Sequence, residues 1–131
     1  MILGKHFNLK PDGLLTFISE VSAPEPSIRL LSEARPVLYA PKAPGSQHLY
    51  YMYRNVCLKQ DYQLFKQHGI RYDITVILPG TIGGEYIKTI GHFHPLKPHS
   101  SETYPEYYEV IDGEAIYLLQ KNNRSGGVEE I

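Results

Sequence analysis

The chain has 131 residues, enough for one domain with its own apolar core and too few for two. Thirteen Lys and Arg residues against fourteen Asp and Glu residues leave a formal net charge of −1, which argues against the positive surface that nucleic-acid backbones select. The N-terminus has no apolar run of signal-peptide length, and no segment reaches the roughly 20 apolar residues of a membrane span. We therefore expect a cytoplasmic protein with a single domain, residues 1–131, and no nucleic-acid or membrane partner.

Short apolar segments bounded by turn-forming residues recur along the chain. Eleven Tyr, eleven Gly and ten Pro residues with no Trp are typical of short strands joined by tight turns. At this length and spacing the segments favour the strands of a sandwich or barrel. The predicted strands are GLLTFIS (13–19), HLYYMYRNVCL (48–58), YDITVIL (72–78), EYIKTIG (85–91), EYYEVI (106–111) and EAIYLLQ (114–120). The sequence therefore predicts an all-β fold.

The proline-rich stretch 23–47 interrupts this pattern. Its five prolines predict extended chain and turns that cross the barrel surface. On this interpretation residues 1–47 hold the N-terminal strands and the proline-rich segment, and residues 48–131 hold the barrel strands.

Three smaller features also have a structural interpretation. Residues 59–69 fit either a helix that ends at Gly69 or a long hairpin arm. Cys57 is the single cysteine, which fits a reducing compartment, and we expect it to be buried in a strand. The glycines of PGTIGGE (79–85) are expected to turn the chain between two strands, because no helix follows them to hold a phosphate. The apolar side of the possible helix would consist of Tyr62, Leu64 and Phe65.

The dipeptide Asp112-Gly113 is a strong hairpin signal, because both central residues of a type I′ turn need positive φ. It predicts that residues 106–111 and 114–120 pair as antiparallel strands.

Two histidines at alternate positions are the first sign of chemistry. His92 and His94 lie on a segment that we expect to be extended, and the two-residue period of a strand sends both imidazoles to one face. Imidazole suits Zn, Fe, Ni and Mn, so the pair is half of a first-row metal site. A solvent-facing pair is the alternative that these two residues alone leave open. The remaining histidines, which we expect on the surface, are His6, His48, His68 and His99.

Several carboxylates follow the histidines and compete for the third ligand position. Glu102 lies in a loop rich in Pro and Ser, so we expect it to be solvated. Glu106 and Glu109 are three positions apart and therefore point to opposite faces of a strand. Periodicity does not decide which of the two faces inward. The four acidic residues in this stretch are Glu102, Glu106, Glu109 and Asp112.

The segments GHFH (91–94) and EYYEVIDGEA (106–115) resemble the first motif of the cupin superfamily. In that motif a Gly precedes His-x-His, and six residues separate a Glu from a Gly. Glu106 satisfies the second spacing with respect to Gly113, whereas Glu102 and Glu109 do not. The eleven residues between His94 and Glu106 exceed the usual length of the motif. The resemblance implies a cupin barrel, which is jelly-roll-like.

Longer stretches resemble one family within that superfamily, the cupin-type glucose-6-phosphate isomerases. The specific matches are TVILPGTIGGEYIKTIGHFH (75–94) and EYYEVIDGEAIYLLQ (106–120), and weaker counterparts are SIRLLSE (27–33) and LYYMYRN (49–55). The resemblance implies an enzyme that interconverts glucose 6-phosphate and fructose 6-phosphate and acts as a homodimer. It also implies a bound divalent metal ion, for which Fe²⁺ is the first choice and Zn²⁺, Mn²⁺ or Ni²⁺ are alternatives.

The same resemblance implies roles for individual residues. The metal ligands would be His92, His94 and Glu106, and the catalytic residues would be Glu106 and Tyr108. The residues near the substrate would be Thr75, Thr89 and Gly91 at its phosphate, with Tyr50 as a further pocket residue. A metal on the C1 and C2 oxygens would stabilise charge while hydrogen moves between these carbons.

The chain departs from the family after residue 120. In the family a second motif supplies a fourth metal ligand, a histidine, and no histidine follows residue 120. We therefore expect at most three protein ligands and an incomplete barrel, so that the chain is a piece of a longer isomerase or a second chain fills the gap. An open sheet edge would favour strand exchange in a dimer.

Two His and one Glu also suit other metal cupins, such as a dioxygenase or another sugar isomerase or epimerase. A non-catalytic cupin that binds sugar phosphate or metal is the third alternative.

Overall fold

The computed structural model of the chain describes residues 6–120 and 128–130. It divides into two compact units, Met1–His92 and Phe93–Ile131. Strands are the main regular element and the helices are few and short, so the expected β-rich character is confirmed. In the described parts of the chain the strands form separate sheets of two or three strands, without a closed barrel. Most of the stretch after residue 120 lies outside the described residues.

The regular elements follow one another in short pieces. The strands of the first unit are β1 (Phe7–Leu9), β2 (Leu15–Phe17), β3 (Val21–Ser22), β4 (Ser27–Leu30), β5 (His48–Tyr53), β6 (Cys57–Leu58), β7 (Ile74–Ile77), β8 (Thr81–Ile82) and β9 (Glu85–Tyr86). Its helices are α1 (Leu31–Ala34) and α2 (Tyr62–His68), with 3-10 turns at Arg35–Val37 and Lys59–Asp61. The strands of the second unit are β10 (Leu118–Gln120) and β11 (Val128–Glu130). Within the described residues all strand pairings are antiparallel: β1 with β2, β3 with β6, β4 with β5, β5 with β7, β8 with β9, and β10 with β11.

Strand β5 is central to the first unit because both of its faces are covered. It lies between β4 and β7 in the three-stranded sheet. Since successive side chains of a strand point to opposite faces, Tyr50 and Met52 join one apolar cluster, and Tyr51 and Tyr53 join a second one. A strand covered on both faces has an uninterrupted apolar sequence. This explains why HLYYMY was a clear strand in the sequence.

The prediction that residues 23–47 cross the surface as extended chain and turns is wrong in part. The segment includes β4, α1 and a 3-10 turn, and Leu31 is 1% exposed in the first apolar cluster, together with Ala34 and Leu38. Its prolines are compatible with this structure because Pro36 lies in the first turn of the 3-10 helix, where a missing N–H leaves no hydrogen bond unmade.

Residues 59–69 form the predicted helix, and the alternative of a hairpin arm is wrong. A 3-10 turn leads into α2, which ends at Gly69 with a left-handed φ of 61°. Glycine takes this conformation at little cost, as is usual at helix ends. Tyr62 and Leu64 are exposed and Phe65 is half-buried, so the apolar side of α2 stays largely uncovered. None of the helices within residues 6–120 has the length and hydropathy of a membrane span.

Two local predictions are confirmed in the first unit. Gly83 and Gly84 connect β8 to β9 with φ of 60° and 94°, which are the positive values that a tight hairpin turn requires. Cys57 is 4% exposed and lies in β6, as expected for a small buried side chain.

The hairpin predicted between residues 106–111 and 114–120 is wrong. Gly113 does take a positive φ of 81°, but residues 106–117 form no ladder and β10 pairs with β11 instead. Asp112 does not take the positive φ that a type I′ turn also needs, so the dipeptide does not form the predicted hairpin turn. The residues before the turn include Tyr107, which is 87% exposed, so this stretch buries no apolar face that would fix a register.

Candidate metal centre

The long loop after His94 folds back on itself within the second unit. Leu96 and Thr103 form an isolated antiparallel bridge. On one side of the bridge the Lys97 amide donates to the Glu102 carbonyl at 2.8 Å, and on the other side the Tyr104 amide donates to the Pro95 carbonyl at 3.4 Å. Residues 95–104 therefore form a short hairpin that leaves the main path of the chain and returns to it.

The hairpin brings Glu106 beside His94 despite the eleven residues between them. The His94 Nε2 atom contacts the Glu106 Oε2 atom. The other ring nitrogen of His94, Nδ1, donates to the Tyr104 carbonyl at 3.2 Å. Because a carbonyl oxygen only accepts, this contact fixes a proton on Nδ1 and aims Nε2 at the carboxylate.

Tyr108 completes the contacts around the Glu106 carboxylate. Its hydroxyl donates to Glu106 Oε2 at 2.7 Å, and its ring lies 5.1 Å from the ring of Tyr117. Burial and, second, the hydrogen bond to Glu106 together raise the pKa of Tyr108 to about 12. The Tyr108 hydroxyl therefore keeps its proton at neutral pH and acts as a donor to Glu106.

The other candidate carboxylates have different surroundings. Glu102 is exposed and forms an ion pair with Lys97, with Nζ and Oε2 3.0 Å apart. Glu109 is exposed. Among the carboxylates weighed from the sequence, the hairpin thus brings Glu106 to His94.

The strand predicted at 85–91, next to the histidines, is longer than the observed one. The predicted strand 85–91 ends at Tyr86, and the residues from 87 to 95 belong to no ladder. His92 is exposed and is the last residue of the first unit. The contact of His94 with Glu106 comes from the hairpin, and the shared direction of the two imidazoles stays a prediction.

The predicted substrate residues all lie in the first unit. Thr75 is exposed on β7 opposite Met52 of β5, which places it on the same face of the sheet as Tyr50. Thr89 and Gly91 are exposed in the segment after β9. Tyr50 is 3% exposed, and its hydroxyl accepts a hydrogen bond from the Ile90 amide at 3.2 Å. Tyr50 thus braces the backbone between Thr89 and Gly91.

Several residues around these sites were missed by sequence reasoning. Tyr104 acts through its backbone carbonyl, which every residue type offers, so no sequence signal could have identified it. The ion pair between Lys97 and Glu102 was also missed, because it lies in the loop rich in Pro and Ser, whose side chains follow no periodic pattern. Arg29 lies over the Tyr50 ring at 5.9 Å from its centre, and its Nε atom is buried without a hydrogen-bond partner.

Two surface cavities of the first unit lie away from the candidate residues. One of about 630 Å³ is open to solvent and is lined by residues that include His6, Glu20 and Lys59. One of about 260 Å³ is lined by residues that include Lys10, Glu25 and Tyr53. Neither lining contains a residue predicted to bind metal or substrate.

Comparison with known proteins identifies the family. The family model described as glucose-6-phosphate isomerase (GPI) matches residues 32–131, which is well over half of the chain. No curated protein matches the chain. No solved structure matches it either. The family match includes the histidine pair, the hairpin, Glu106 and Tyr108. The chain therefore belongs to the glucose-6-phosphate isomerase family.

Proposed function

We propose that the chain is a metal-dependent glucose-6-phosphate isomerase of the cupin type, which interconverts glucose 6-phosphate and fructose 6-phosphate. In this proposal His92, His94 and Glu106 hold a divalent metal ion, with Fe²⁺ the first choice. The family match supports the reaction. The observation that supports metal binding is the contact between His94 and Glu106.

The protonation of His94 explains why this contact needs a cation. Since Nδ1 donates its proton to the Tyr104 carbonyl, a neutral His94 presents a lone pair at Nε2. The facing atom, Glu106 Oε2, is also electron-rich. Two such atoms make a favourable contact only when a positive centre lies between them, either a second proton on the imidazole or a metal ion. The arrangement therefore suits a site that a cation occupies.

The neighbours of these two side chains favour a metal ion. Metal-binding histidines commonly donate their other ring N–H to a backbone carbonyl, and ligating carboxylates are in turn hydrogen-bonded. His94 has the first arrangement with Tyr104, and Glu106 has the second with Tyr108. Two imidazoles and one carboxylate are suitable ligands for Fe, Zn, Mn or Ni.

Each residue has a defined task in the proposed reaction. A bound divalent ion would supply Lewis-acid stabilisation of the charge that develops on the C1 and C2 oxygens. Tyr108 keeps its proton and orients the Glu106 carboxylate. Thr75 and Thr89 are neutral hydroxyl donors to the substrate phosphate, and Gly91 offers its amide. Tyr50 supports that segment through Ile90.

The assembly belongs to the same proposal. We infer that the chain forms part of a cupin barrel, acts as a homodimer and works in the cytoplasm, all of which rest on the resemblance described above. Exposed apolar side chains in the second unit, such as Ile116 and Leu118, are consistent with further strands or a second chain that would cover them.

The test combines metal analysis with an isomerase assay on the full chain. Conversion of fructose 6-phosphate to glucose 6-phosphate is measured before and after EDTA treatment, and again after separate additions of Fe²⁺, Mn²⁺, Ni²⁺ and Zn²⁺. We expect EDTA to abolish activity and one of the ions to restore it. Bound metal without any isomerase activity would instead support the non-catalytic alternative.

A matched pair of variants tests the choice of carboxylate. Glu106→Gln removes the charge beside His94, and Glu109→Gln makes the same chemical change at an exposed position three residues further along. We expect Glu106→Gln to lose about 100-fold or more in metal affinity, because losing a supporting residue alone costs 10- to 100-fold. Glu109→Gln should behave like the wild type. A Glu106→Gln protein that retains both metal and activity would exclude Glu106 as a ligand.

A further inference from the structure

The hairpin of residues 95–104 is closed by two contacts between the same residues. Lys97 and Glu102 are joined through the backbone at 2.8 Å and through their side chains at 3.0 Å. Ser100 reinforces this closure because its amide donates to the Lys97 carbonyl at 3.2 Å and its hydroxyl accepts from the Glu102 amide at 3.0 Å. The contacts that shape the hairpin are therefore concentrated at Lys97 and Glu102.

The hairpin has little apolar burial to hold it closed. Leu96, its largest aliphatic side chain, is 60% exposed, and the only ladder contact within residues 95–104 is the bridge between Leu96 and Thr103. Short two-stranded hairpins are marginal in water without an apolar face. Closing such a loop also costs conformational entropy. Polar contacts such as the ion pair therefore supply much of what keeps this hairpin closed.

The closed hairpin determines where Glu106 lies relative to His94. His94 precedes the hairpin directly and Glu106 follows it by two residues, so opening the hairpin would let these side chains separate. A site whose ligands already lie together binds with less loss of conformational freedom.

We propose that Lys97 and Glu102 are positioning residues, whose ion pair holds Glu106 beside His94 before the metal binds. This inference rests on the proposed function, because it assigns the metal to those two side chains. The Lys97 side chain is 37% exposed and that of Glu102 is 74% exposed, so the pair has the strength of a surface ion pair. Loss of the pair should weaken metal affinity about two- to fivefold.

Calorimetric titration of the full chain with Ni²⁺ tests this expectation. The variants are Lys97→Ala, Glu102→Ala, the double variant, and the exchanged pair Lys97→Glu with Glu102→Lys. The two single variants should each lose about two- to fivefold in affinity, and the double variant should lose no more than either one, because the two residues act as one pair. The exchanged pair should recover the loss. Lys42→Ala, which removes an exposed lysine of the first unit, is the control for net charge.

A disulfide across the same hairpin provides an independent rescue. Leu96 and Thr103 face each other between two hydrogen-bonded pairs, where cross-strand Cα atoms approach most closely. Cysteines at both positions in the Lys97→Ala background should restore wild-type affinity when oxidised and not when reduced. Cys57 is buried and does not compete for this disulfide.

A metal-free measurement separates failure of this inference from failure of the proposed function. Nuclear Overhauser contacts between the α-protons of residues 96 and 103 report hairpin closure directly, and we expect them to weaken in Lys97→Ala and to return in the exchanged pair. Unchanged contacts in Lys97→Ala would overturn the positioning role, whether or not metal binds. If the wild type binds none of Ni²⁺, Mn²⁺, Fe²⁺ and Zn²⁺, the proposed metal site fails and the positioning role for metal fails with it. If the wild type binds metal and Lys97→Ala binds it equally well, only the positioning role is overturned.

Discussion

The hydroxyl of Tyr108 offers a direct test of the environment of Glu106. Tyr108→Phe removes one oxygen and leaves the ring against Tyr117. The lost hydrogen bond to Glu106 Oε2 has a length of 2.7 Å and an ionised acceptor. Hydrogen bonds to charged groups contribute about 1.5–3 kcal/mol when buried. Tyr108 is 49% exposed and the Glu106 side chain is 37% exposed, so solvent reduces the contribution of this hydrogen bond to about 1 kcal/mol.

That energy predicts an about fivefold loss of metal affinity in Tyr108→Phe, just below the 10- to 100-fold range for residues that support metal ligands. Tyr107→Phe is the matched control, because Tyr107 is the adjacent tyrosine and is 87% exposed. The assay is competition for the metal against a chromophoric chelator, carried out on both variants in parallel. Equal affinities for the two variants would refute the argument that the Tyr108 hydroxyl orients Glu106.

The alkaline titration of tyrosine absorbance checks the same contact without metal. The pKa of Tyr108 is raised to about 12, mainly by burial, from an ordinary value of about 10. The folded state therefore holds this proton more tightly than the unfolded state, and the stability that results is present below about pH 10 and is lost as the pH rises through about 12. Tyr108→Phe should remove the most alkaline part of the titration, and Tyr107→Phe should not.

Three further predictions concern the first unit. Tyr50→Phe leaves the Ile90 amide without its acceptor and should lower the free energy of unfolding in urea by about 1 kcal/mol. The same variant should have a raised KM for substrate, and an unchanged KM would argue against a supporting role for Tyr50. Leu31→Ala, at a side chain that is 1% exposed, should cost about 2–5 kcal/mol in the same experiment, and a loss below 1 kcal/mol would contradict the packing described for the first cluster. The hydrogen bond from Lys88 lowers the pKa of Glu85, so its stabilising contribution is present above the usual carboxyl range and is lost as the pH falls through the lowered value. Thermal unfolding of Glu85→Gln should lack this acid-dependent loss, and identical pH profiles for variant and wild type would count against it.

Local sequence signals predicted the secondary-structure elements that depend mainly on residues close together in the chain. The uninterrupted apolar run at β5 identified a covered strand, and the left-handed glycines at 69, 83 and 84 marked the end of a helix and a hairpin turn. Pairing between distant segments was not predictable in this way. Gly113 takes the positive φ expected of a turn, yet the strand at 118–120 pairs with residues 128–130. The burial of Leu31 likewise depends on its packing against one face of β5. The number of prolines in residues 23–47 gives no information about that packing.

The candidate site was accessible to sequence reasoning only in part. The spacing from Glu106 to Gly113 pointed to the carboxylate that the hairpin brings to His94. Strand parity did not choose between Glu106 and Glu109, and residues 87–95 form no ladder that would impose it. The contacts that hold His94 come from a carbonyl and from a loop closure, and neither depends on a recognisable motif.

The closed loop after His94 also bears on how such proteins are recognised. Because residues 95–104 leave and rejoin the chain at neighbouring points, the length of the loop is independent of the position of Glu106. Adding or removing an even number of residues at the tip, near His99, would preserve the register of the hairpin. An odd number would shift the register by one residue and send the side chains of one strand to the opposite face. A search pattern with a fixed gap between the histidines and the glutamate would therefore overlook chains of this kind. A pattern with a variable gap, anchored on Gly91 and Gly113, would retain them.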